Sequence, residues 1–119
     1  MAVHSIIVAP DPRLKVNSKP IESVDDEVRT LMDDMLETMH SAKGIGLAAP
    51  QIGIQKRIIV VDTAHDDEKP NPLRMANPEI IEVSADDTSH EEGCLSLPEQ
   101  YSEVARPSSV RVRYIDQEN

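Results

Sequence analysis

Two short segments contain the residue types best suited to binding or catalysis. The first, residues 44–51, reads Gly-Ile-Gly-Leu-Ala-Ala-Pro-Gln and ends on the side-chain amide of Gln51. Glycines let a backbone approach a ligand closely or adopt a positive φ. The segment lacks the Gly-Lys-Ser/Thr of a phosphate loop and the glycine spacing of a dinucleotide site. Two interpretations stay open: a tight helix-to-strand connection with a buried amide, or a binding loop that presents this amide.

The second segment, residues 91–98, reads Glu-Glu-Gly-Cys-Leu-Ser-Leu-Pro and contains the only cysteine, Cys94. A single cysteine is commonly a small buried apolar residue. Gly93 before it and Ser96 after it instead predict a sharply shaped backbone. Two adjacent carboxylates disfavour a free thiolate nucleophile, whereas a bound metal ion would hold the sulfur as a thiolate. Two interpretations of Cys94 therefore stay open: a small buried apolar residue, or a thiolate held by a metal ion.

A histidine four residues before the cysteine offers a second metal ligand. His90 and Cys94 would share one face if the segment were helical, as two histidines do in a zinc-protease motif. Gly93 and the strand-like surroundings disfavour a helix, so a metal pair made of these two residues is a minor alternative. The other three histidines, His4, His40 and His65, are expected to be structural or solvated.

One amphipathic helix is predicted directly before the first segment, over residues 25–42. Ser23 is the expected N-cap, with Asp26 three residues later, and Gly44 is the expected stop. Apolar residues recur at steps of three and four, which predicts one stripe that faces the core. The stripe consists of Val24, Val28, Leu31, Met32, Met35, Leu36 and Met39.

Short strands are predicted around the second segment. They cover residues 57–62, 75–78, 80–83 and 109–115, with 3–8 as a strand or an extended arm, 84–89 as a polar turn and 92–97 as irregular or strand-like. In the last strand, Val110, Val112 and Tyr114 alternate with arginines, which predicts a half-buried strand. No helix is predicted between the strands, so the fold class is α+β with mostly antiparallel pairing.

Composition narrows the function classes. The 119 residues are expected to form one domain, 1–119. The net charge of −10 argues against a nucleic-acid surface. No apolar run is long enough for a membrane span, and the N-terminus lacks the basic flank of a signal peptide. One cysteine cannot form an internal disulfide, so we expect a cytoplasmic protein. With two tyrosines as the only aromatic residues, the core must be aliphatic.

Taken together, the two segments resemble peptide deformylases of the bacterial type. That family has a Gly-x-Gly-Leu-Ala-Ala-x-Gln motif followed by a Glu-Gly-Cys-Leu-Ser motif, and both stand here in full, at residues 44–51 and 92–96. The acidic helix, the 57–62 strand, Asn-Pro-Glu at 77–79 and Pro-Glu-Gln at 98–100 extend the resemblance over nearly the whole chain. The resemblance implies metal-dependent removal of the formyl group from N-formylmethionyl nascent polypeptides. The expected partners are therefore that peptide and the ribosome, and no association with a membrane is expected.

The resemblance also implies roles for individual residues. Cys94 is similar to the thiolate ligand of a catalytic divalent metal, iron(II) in most members. An open metal site lowers the pKa of a bound water to about 7, which supplies hydroxide at neutral pH. The Gln51 side chain and the Leu95 N–H would stabilise the oxyanion. The resemblance further implies that the backbone groups of Ile45, Gly46 and Gly93 bind the peptide. It also implies that an ion pair between Glu92 and Arg106 supports the metal site.

Three departures from the family pattern are visible. The family's third motif, His-Glu-x-x-His on a C-terminal helix, supplies two metal ligands and the general base, and this sequence does not contain it. We therefore expect a truncated domain without that helix, with no bound metal and no activity. The alternative is a non-catalytic relative that retains a peptide-binding groove. His90 stands where an apolar pocket residue is common, and Tyr101 where an arginine is often found.

Overall fold

The computed structural model describes residues 3–64 and 69–118, which form one helix and six strands. Helix α1 covers Asp26–Ser41, within a residue of the predicted bounds. The strands are β1 (Gly46–Ala48), β2 (Ile58–Val61), β3 (Leu73–Val83), β4 (Asp87–Cys94), β5 (Leu97–Pro107) and β6 (Val110–Ile115). Two short 3₁₀ turns cover Pro12–Lys15 and Ala49–Ile52. The α+β prediction is confirmed. His65 lies outside the described residues.

The strands form two antiparallel sheets. One has the order β1-β2-β3-β6, and the other is the β4–β5 hairpin. Leu47 lies opposite Val60, and Ile58 lies opposite Ala76, so alternate residues of the central strands face α1. All the pairings within these two sheets are antiparallel, in agreement with the sequence.

The residues that cap α1 differ from the prediction by one or two positions. The N-cap is Asp25, whose carboxylate accepts a hydrogen bond of 2.9 Å from the Val28 N–H. Ser23 was the wrong cap because it lies two residues before the position whose side chain can reach that N–H. At the other end Lys43 has the left-handed backbone, with φ of 59°. The next residue, Gly44, donates its N–H to the Met39 carbonyl at 2.9 Å.

The core lies between α1 and the four-stranded sheet, and it is aliphatic as predicted. Met32, Met35 and Met39 are fully buried on the helix, and Val60 is fully buried on β2. Burying such a side chain stabilises a fold by about 1.5–3 kcal/mol. The same packing fixes β1 and thereby one wall of the candidate site.

The segment from 73 to 83 forms one long strand where the sequence suggested two. Asn77 interrupts its pairing with β6 as a bulge and has a positive φ of 50°. Its side-chain amide bonds both the N–H and the C=O of Ile21, each at 2.8 Å. The Asn77 side chain thus bonds the Ile21 backbone in the way that a neighbouring strand would. The Asn-Pro sequence at 77–78 predicted a bend here, but it did not predict the contact with Ile21.

Two other strand predictions need correction. The polar turn predicted over 84–89 is shorter, because residues 87–89 already belong to β4, whereas 92–97 is strand-like, as one of its two interpretations had it, apart from the turn at 95–96. The β6 face that was expected to be half-buried is largely exposed, with Val110 at 52% and Tyr114 at 38%. Val112, on the same face, is half-buried, and Ile115 packs against the core.

Among the described residues, no helix is long and apolar enough to cross a membrane. Residues 3–8 form an extended arm and not a strand.

Candidate functional site

The two motif segments face each other across one groove of about 490 Å³. Residues 43–46 and Gln51 form the first wall, and residues 93–95 and 97–101 form the second. The first wall belongs to the end of α1, β1 and the 3₁₀ turn after it, and the second is the tip of the β4–β5 hairpin. The fold therefore brings together most of the residues that the sequence singled out.

The Gln51 side chain joins the two walls. Its Oε1 accepts from the Ala48 N–H at 2.9 Å. Its Nε2 donates to Ser96 Oγ at 3.1 Å and lies 3.4 Å from Cys94 Sγ. The amide is thus oriented by contacts on both sides. The segment is a tight helix-to-strand connection, as the first interpretation had it, but its amide is half-buried and lies beside the thiol; a binding role for it stays a prediction.

The N-terminal arm bonds the backbone of both walls. The Ile7 N–H donates to the Gln51 carbonyl at 2.8 Å, and the Ala9 N–H donates to the Ser96 carbonyl at 2.8 Å. Ser96 is 4% exposed, so this second bond is shielded from water. The arm therefore helps to hold the hairpin tip against the 3₁₀ turn.

Gly44 lies in close contact with the second wall. A Cβ at this position would lie 2.7 Å from Leu95 Cδ1. Leu95 packs against the hydrophobic core from the hairpin tip. The missing side chain at Gly44 lets Leu95 insert there, which places its neighbour Cys94 next to Gln51.

The free edge of β1 offers backbone groups to the groove. The Asp62 N–H, directly after β2, donates to the Ile45 carbonyl at 2.9 Å, so Ile45 lies at a hydrogen-bonded position of the β1–β2 ladder. Bonded and non-bonded pairs alternate along an antiparallel ladder. The N–H and C=O of Gly46 therefore point away from β2, towards the open edge. An extended peptide could pair with them as an added strand.

Glu92 and Arg106 form a bidentate ion pair on the hairpin. Arg106 Nε donates to Glu92 Oε2 at 2.7 Å, and Nη2 donates to Oε1 at 2.8 Å. The hydrogen bond from Arg106 lowers the pKa of Glu92 below its usual value of 4.5. The same contact raises the pKa of Arg106. The pair links β4 to β5 two residues before Cys94.

The described residues do not form a metal site by themselves. Cys94 is exposed, and no group of three or more His, Cys, Asp or Glu side chains in this part of the chain could hold a metal ion. His90 lies on β4, where four residues span about 13 Å, so it cannot converge with Cys94 as it would on a helix. The donor set present therefore does not fit a three-ligand centre.

The other described histidines contact carboxylates away from the groove. His4 Nε2 lies 3.4 Å from Asp34 Oδ2, and His40 Nε2 lies 3.2 Å from Asp62 Oδ2. Both have the structural surroundings that the sequence suggested. Neither residue lines the groove.

Leu95 and Gly93 occupy the remaining positions of the second wall. The Leu95 N–H donates to no acceptor in the described part of the chain. A Cβ at Gly93 would lie 2.7 Å from Tyr101 Cε1, so the glycine lets the tyrosine ring lie against the strand. Ile45, across the groove, is 65% exposed.

Two contributors were missed by sequence reasoning. Ser96 was read only as a marker of backbone shape, but its hydroxyl accepts from Gln51 and its carbonyl from the arm. Tyr101 was noted only as a departure, but its ring contacts Gly93. The motif glycines carry a signal for such contacts, since a glycine often marks a place where another group approaches closely.

An open strand edge beside a thiol, an oriented amide and an unbonded N–H defines a class of site. Such a site can align an extended peptide and place one carbonyl of it near polar donors. The two walls of this site belong to different sheets, the four-stranded sheet and the β4–β5 hairpin.

Comparisons with known proteins agree with this class. The family model described as polypeptide deformylase matches residues 3–119. The peptide deformylase of Phenylobacterium zucineum is 56% identical over 98% of this chain and 69% of its own length. That of Methylocella silvestris is 54% identical over 99% of this chain and 62% of its own length. A crystal structure of the Ehrlichia chaffeensis peptide deformylase in complex with actinonin superposes with a TM-score of 0.92, at 40% identity, over 98% of this chain and 70% of that chain.

The chain belongs to the peptide deformylase family, a family of hydrolases. It spans roughly two thirds of the length of these relatives.

Proposed function

We propose that this chain carries the substrate groove of a peptide deformylase and holds an N-formylmethionyl peptide as an extended strand along β1. The observation that carries the proposal is the free edge of β1, where Gly46 presents its backbone to the groove that contains Cys94 and Gln51. Ile45 and Gly93 would bind the peptide from opposite walls. The formyl group would then lie between the thiol and the amide.

The Gln51 amide and the Leu95 N–H would stabilise the negative charge that develops on the formyl oxygen. Gln51 is well suited to this role because the bond from Ala48 fixes its orientation. Donors that are already aimed need no reorganisation during the reaction, and the loss of one typically costs about 10²-fold or more in rate. The Glu92–Arg106 ion pair would hold β4 and β5 in register behind Cys94.

Cys94 would serve as one ligand of iron(II) or another divalent metal in a complete enzyme. The 119 residues themselves offer one thiol and four histidines, and the described histidines lie away from the groove. We infer that this chain alone, as a single domain 1–119, binds no stoichiometric metal and does not deformylate a peptide. The other ligands would have to come from residues outside these 119.

Metal content and turnover of the purified chain test this inference. We expect far less than one equivalent of iron, zinc or nickel by elemental analysis and no formate release from formyl-Met-Ala-Ser. The Cys94→Ala variant is the control and should give the same two results. One equivalent of metal together with turnover that disappears in Cys94→Ala would overturn it.

Peptide binding is tested separately, by NMR titration of the chain with formyl-Met-Ala-Ser. We expect chemical-shift changes for the amides of residues 45–46 and 93–95. A peptide that lacks the formyl group should bind more weakly, since it cannot accept from Gln51 and Leu95. The absence of shifts at the β1 edge would contradict the groove assignment.

The second candidate is a non-catalytic member of the family that binds formylated peptides. This candidate is favoured by the side chains present, because the described residues form the groove but provide only Cys94 as a metal ligand in it. The nucleotide sequence beyond codon 119 discriminates between the two. A reading frame that encodes His-Glu-x-x-His within a few tens of residues supports an enzyme, and its absence supports the binder. Both candidates are proposed to act in the cytoplasm, where the ribosome would supply the nascent chain.

A further inference from the structure

The fold gathers basic residues that are far apart in the sequence. Residues 12–21 and 53–61 contain five of the 12 basic residues and no carboxylate. The Lys19 N–H donates to the Gln55 carbonyl at 3.1 Å, and the Arg57 N–H donates to the Lys19 carbonyl at 2.9 Å. These bonds form a parallel bridge between Lys19 and Lys56. We call the surface formed by Arg13, Lys15, Lys19, Lys56 and Arg57 the basic corner.

Most of the charge on the basic corner is uncompensated. Lys15, Lys19, Lys56 and Arg57 are exposed. Lys15, Lys19 and Lys56 make no ion pair within the described residues. Arg13 alone is paired, through two hydrogen bonds to Asp11 of 3.1 and 2.7 Å. Clustered like charges repel one another, so this arrangement is unusual in a chain that carries an excess of ten negative charges.

The basic corner is chemically suited to binding phosphate groups. Lysine ammonium groups bind phosphate as compact point charges. A nucleic-acid duplex presents such charges at a density of about one per 1.7 Å of axis. Neither Tyr101 nor Tyr114 belongs to the corner, so it lacks the aromatic rings on which single-stranded bases stack. The corner also lacks Trp and Phe, and its one leucine, Leu14, is half-buried, so it offers no exposed side chain of the kinds that anchor a protein in a membrane surface.

We propose that the basic corner binds the phosphate backbone of double-stranded RNA. This departs from the expectation drawn from the net charge, which averages over the whole chain. Charges more than about 8 Å away are largely screened at physiological salt, so a local cluster can bind despite a negative total. The proposal rests on different residues from the groove and stands or falls independently of it.

Fluorescence anisotropy with an RNA duplex of about 20 base pairs tests the proposal. Four or five phosphate contacts predict a salt slope near −4, or about a 10²-fold loss of affinity between about 50 and 200 mM salt. In the triple variant Lys15→Gln, Lys19→Gln, Lys56→Gln, affinity should fall at least about tenfold and the slope should become about three units shallower.

A matched control removes the same charge elsewhere. The triple variant Lys69→Gln, Arg111→Gln, Arg113→Gln changes three exposed cations outside the corner and should bind as the parent does. Circular dichroism melts of both variants check that each is folded. No binding by the parent at about 50 mM salt, or equal losses in the two variants, would overturn the proposal. Binding to anionic vesicles or polyglutamate but not to RNA would overturn it as well.

Discussion

The two walls of the groove are held in place in different ways. The β1 wall belongs to a sheet whose central residues are covered by α1, with Leu47 at 3% exposure and Val60 fully buried. The β4–β5 hairpin has almost no buried residue apart from its tip, where Leu95 and Ser96 reach the rest of the protein. One wall is fixed by burial along its length, and the other is fixed at one end.

This difference locates the weak point of the site. A change in the core should unfold the whole chain, whereas a change at the hairpin tip should displace Cys94 from Gln51 before it unfolds the sheet. A change along the hairpin arms should do little. The following predictions test that order, from the largest expected effect to the smallest.

Met35→Ala should have the largest effect. The side chain is fully buried between α1 and the sheet, and such truncations cost about 2–5 kcal/mol in the free energy of unfolding. Urea unfolding followed by circular dichroism measures the loss. Ile80→Ala on β3, where the side chain is 65% exposed, is the control and should stay within about 0.5 kcal/mol. Equal losses in the two variants would contradict the assignment of the core.

Gly44→Ala should have an intermediate effect because the new methyl group meets Leu95 at 2.7 Å. Overpacking of this kind costs about 1–3 kcal/mol. Gly46→Ala is the matched control, since its Cβ would lie 3.8 Å from the nearest atom, the Val60 carbonyl oxygen. In a Leu95→Ala background the cost of Gly44→Ala should disappear. A double-mutant cycle without coupling would show that the two residues are not in contact.

Asp25→Ala tests the N-terminus of α1. The loss of an N-cap side chain costs about 1 kcal/mol, within a range of 0.5–2. Ser23→Ala should leave the free energy of unfolding nearly unchanged, because that side chain caps no N–H of the helix. If Ser23→Ala lowered the thermal unfolding temperature more than Asp25→Ala did, Ser23 and not Asp25 would be the N-cap, as the sequence predicted.

Glu92→Gln should have the smallest effect, confined to one pH range. Arg106 depresses the pKa of Glu92 in the folded state below 4.5. The ion pair therefore stabilises the fold above pH 4.5, and this contribution is lost as the pH falls through the depressed pKa. The unfolding curves of parent and variant should differ slightly at pH 7 and converge in acid. A difference that persists at the lowest pH would point to a packing defect.

Periodicity predicted the parts of the fold whose residues are neighbours in sequence. The stripe from Val24 to Met39 predicted α1 within a residue, the uninterrupted apolar run at 58–61 predicted β2, and the alternation of apolar residues predicted β6. Exposure on β6 was wrong because a pattern shows which residues share a face but not whether another element covers it. Asn77 was missed as a pairing residue because its partner, Ile21, is remote in the sequence.

The candidate site was predicted as two motifs but not as a geometry. Gln51 and Cys94 were both singled out, yet nothing in their spacing says that the amide nitrogen lies 3.4 Å from the sulfur. Ser96 and the arm complete the arrangement through backbone groups, which every residue possesses and no sequence pattern marks. The basic corner was invisible for a related reason, since Lys19 and Lys56 meet only through a backbone bridge.

The bonds of the N-terminal arm have a consequence for the order in which the protein assembles. Ile7 and Ala9 are synthesised well before their partners, Gln51 and Ser96. Contacts between such distant positions carry a loop-closure entropy and slow the folding of a small domain. The bond from Ala9 cannot form until the chain has been made past Ser96, so the arm reaches its final place later than its position in the sequence suggests.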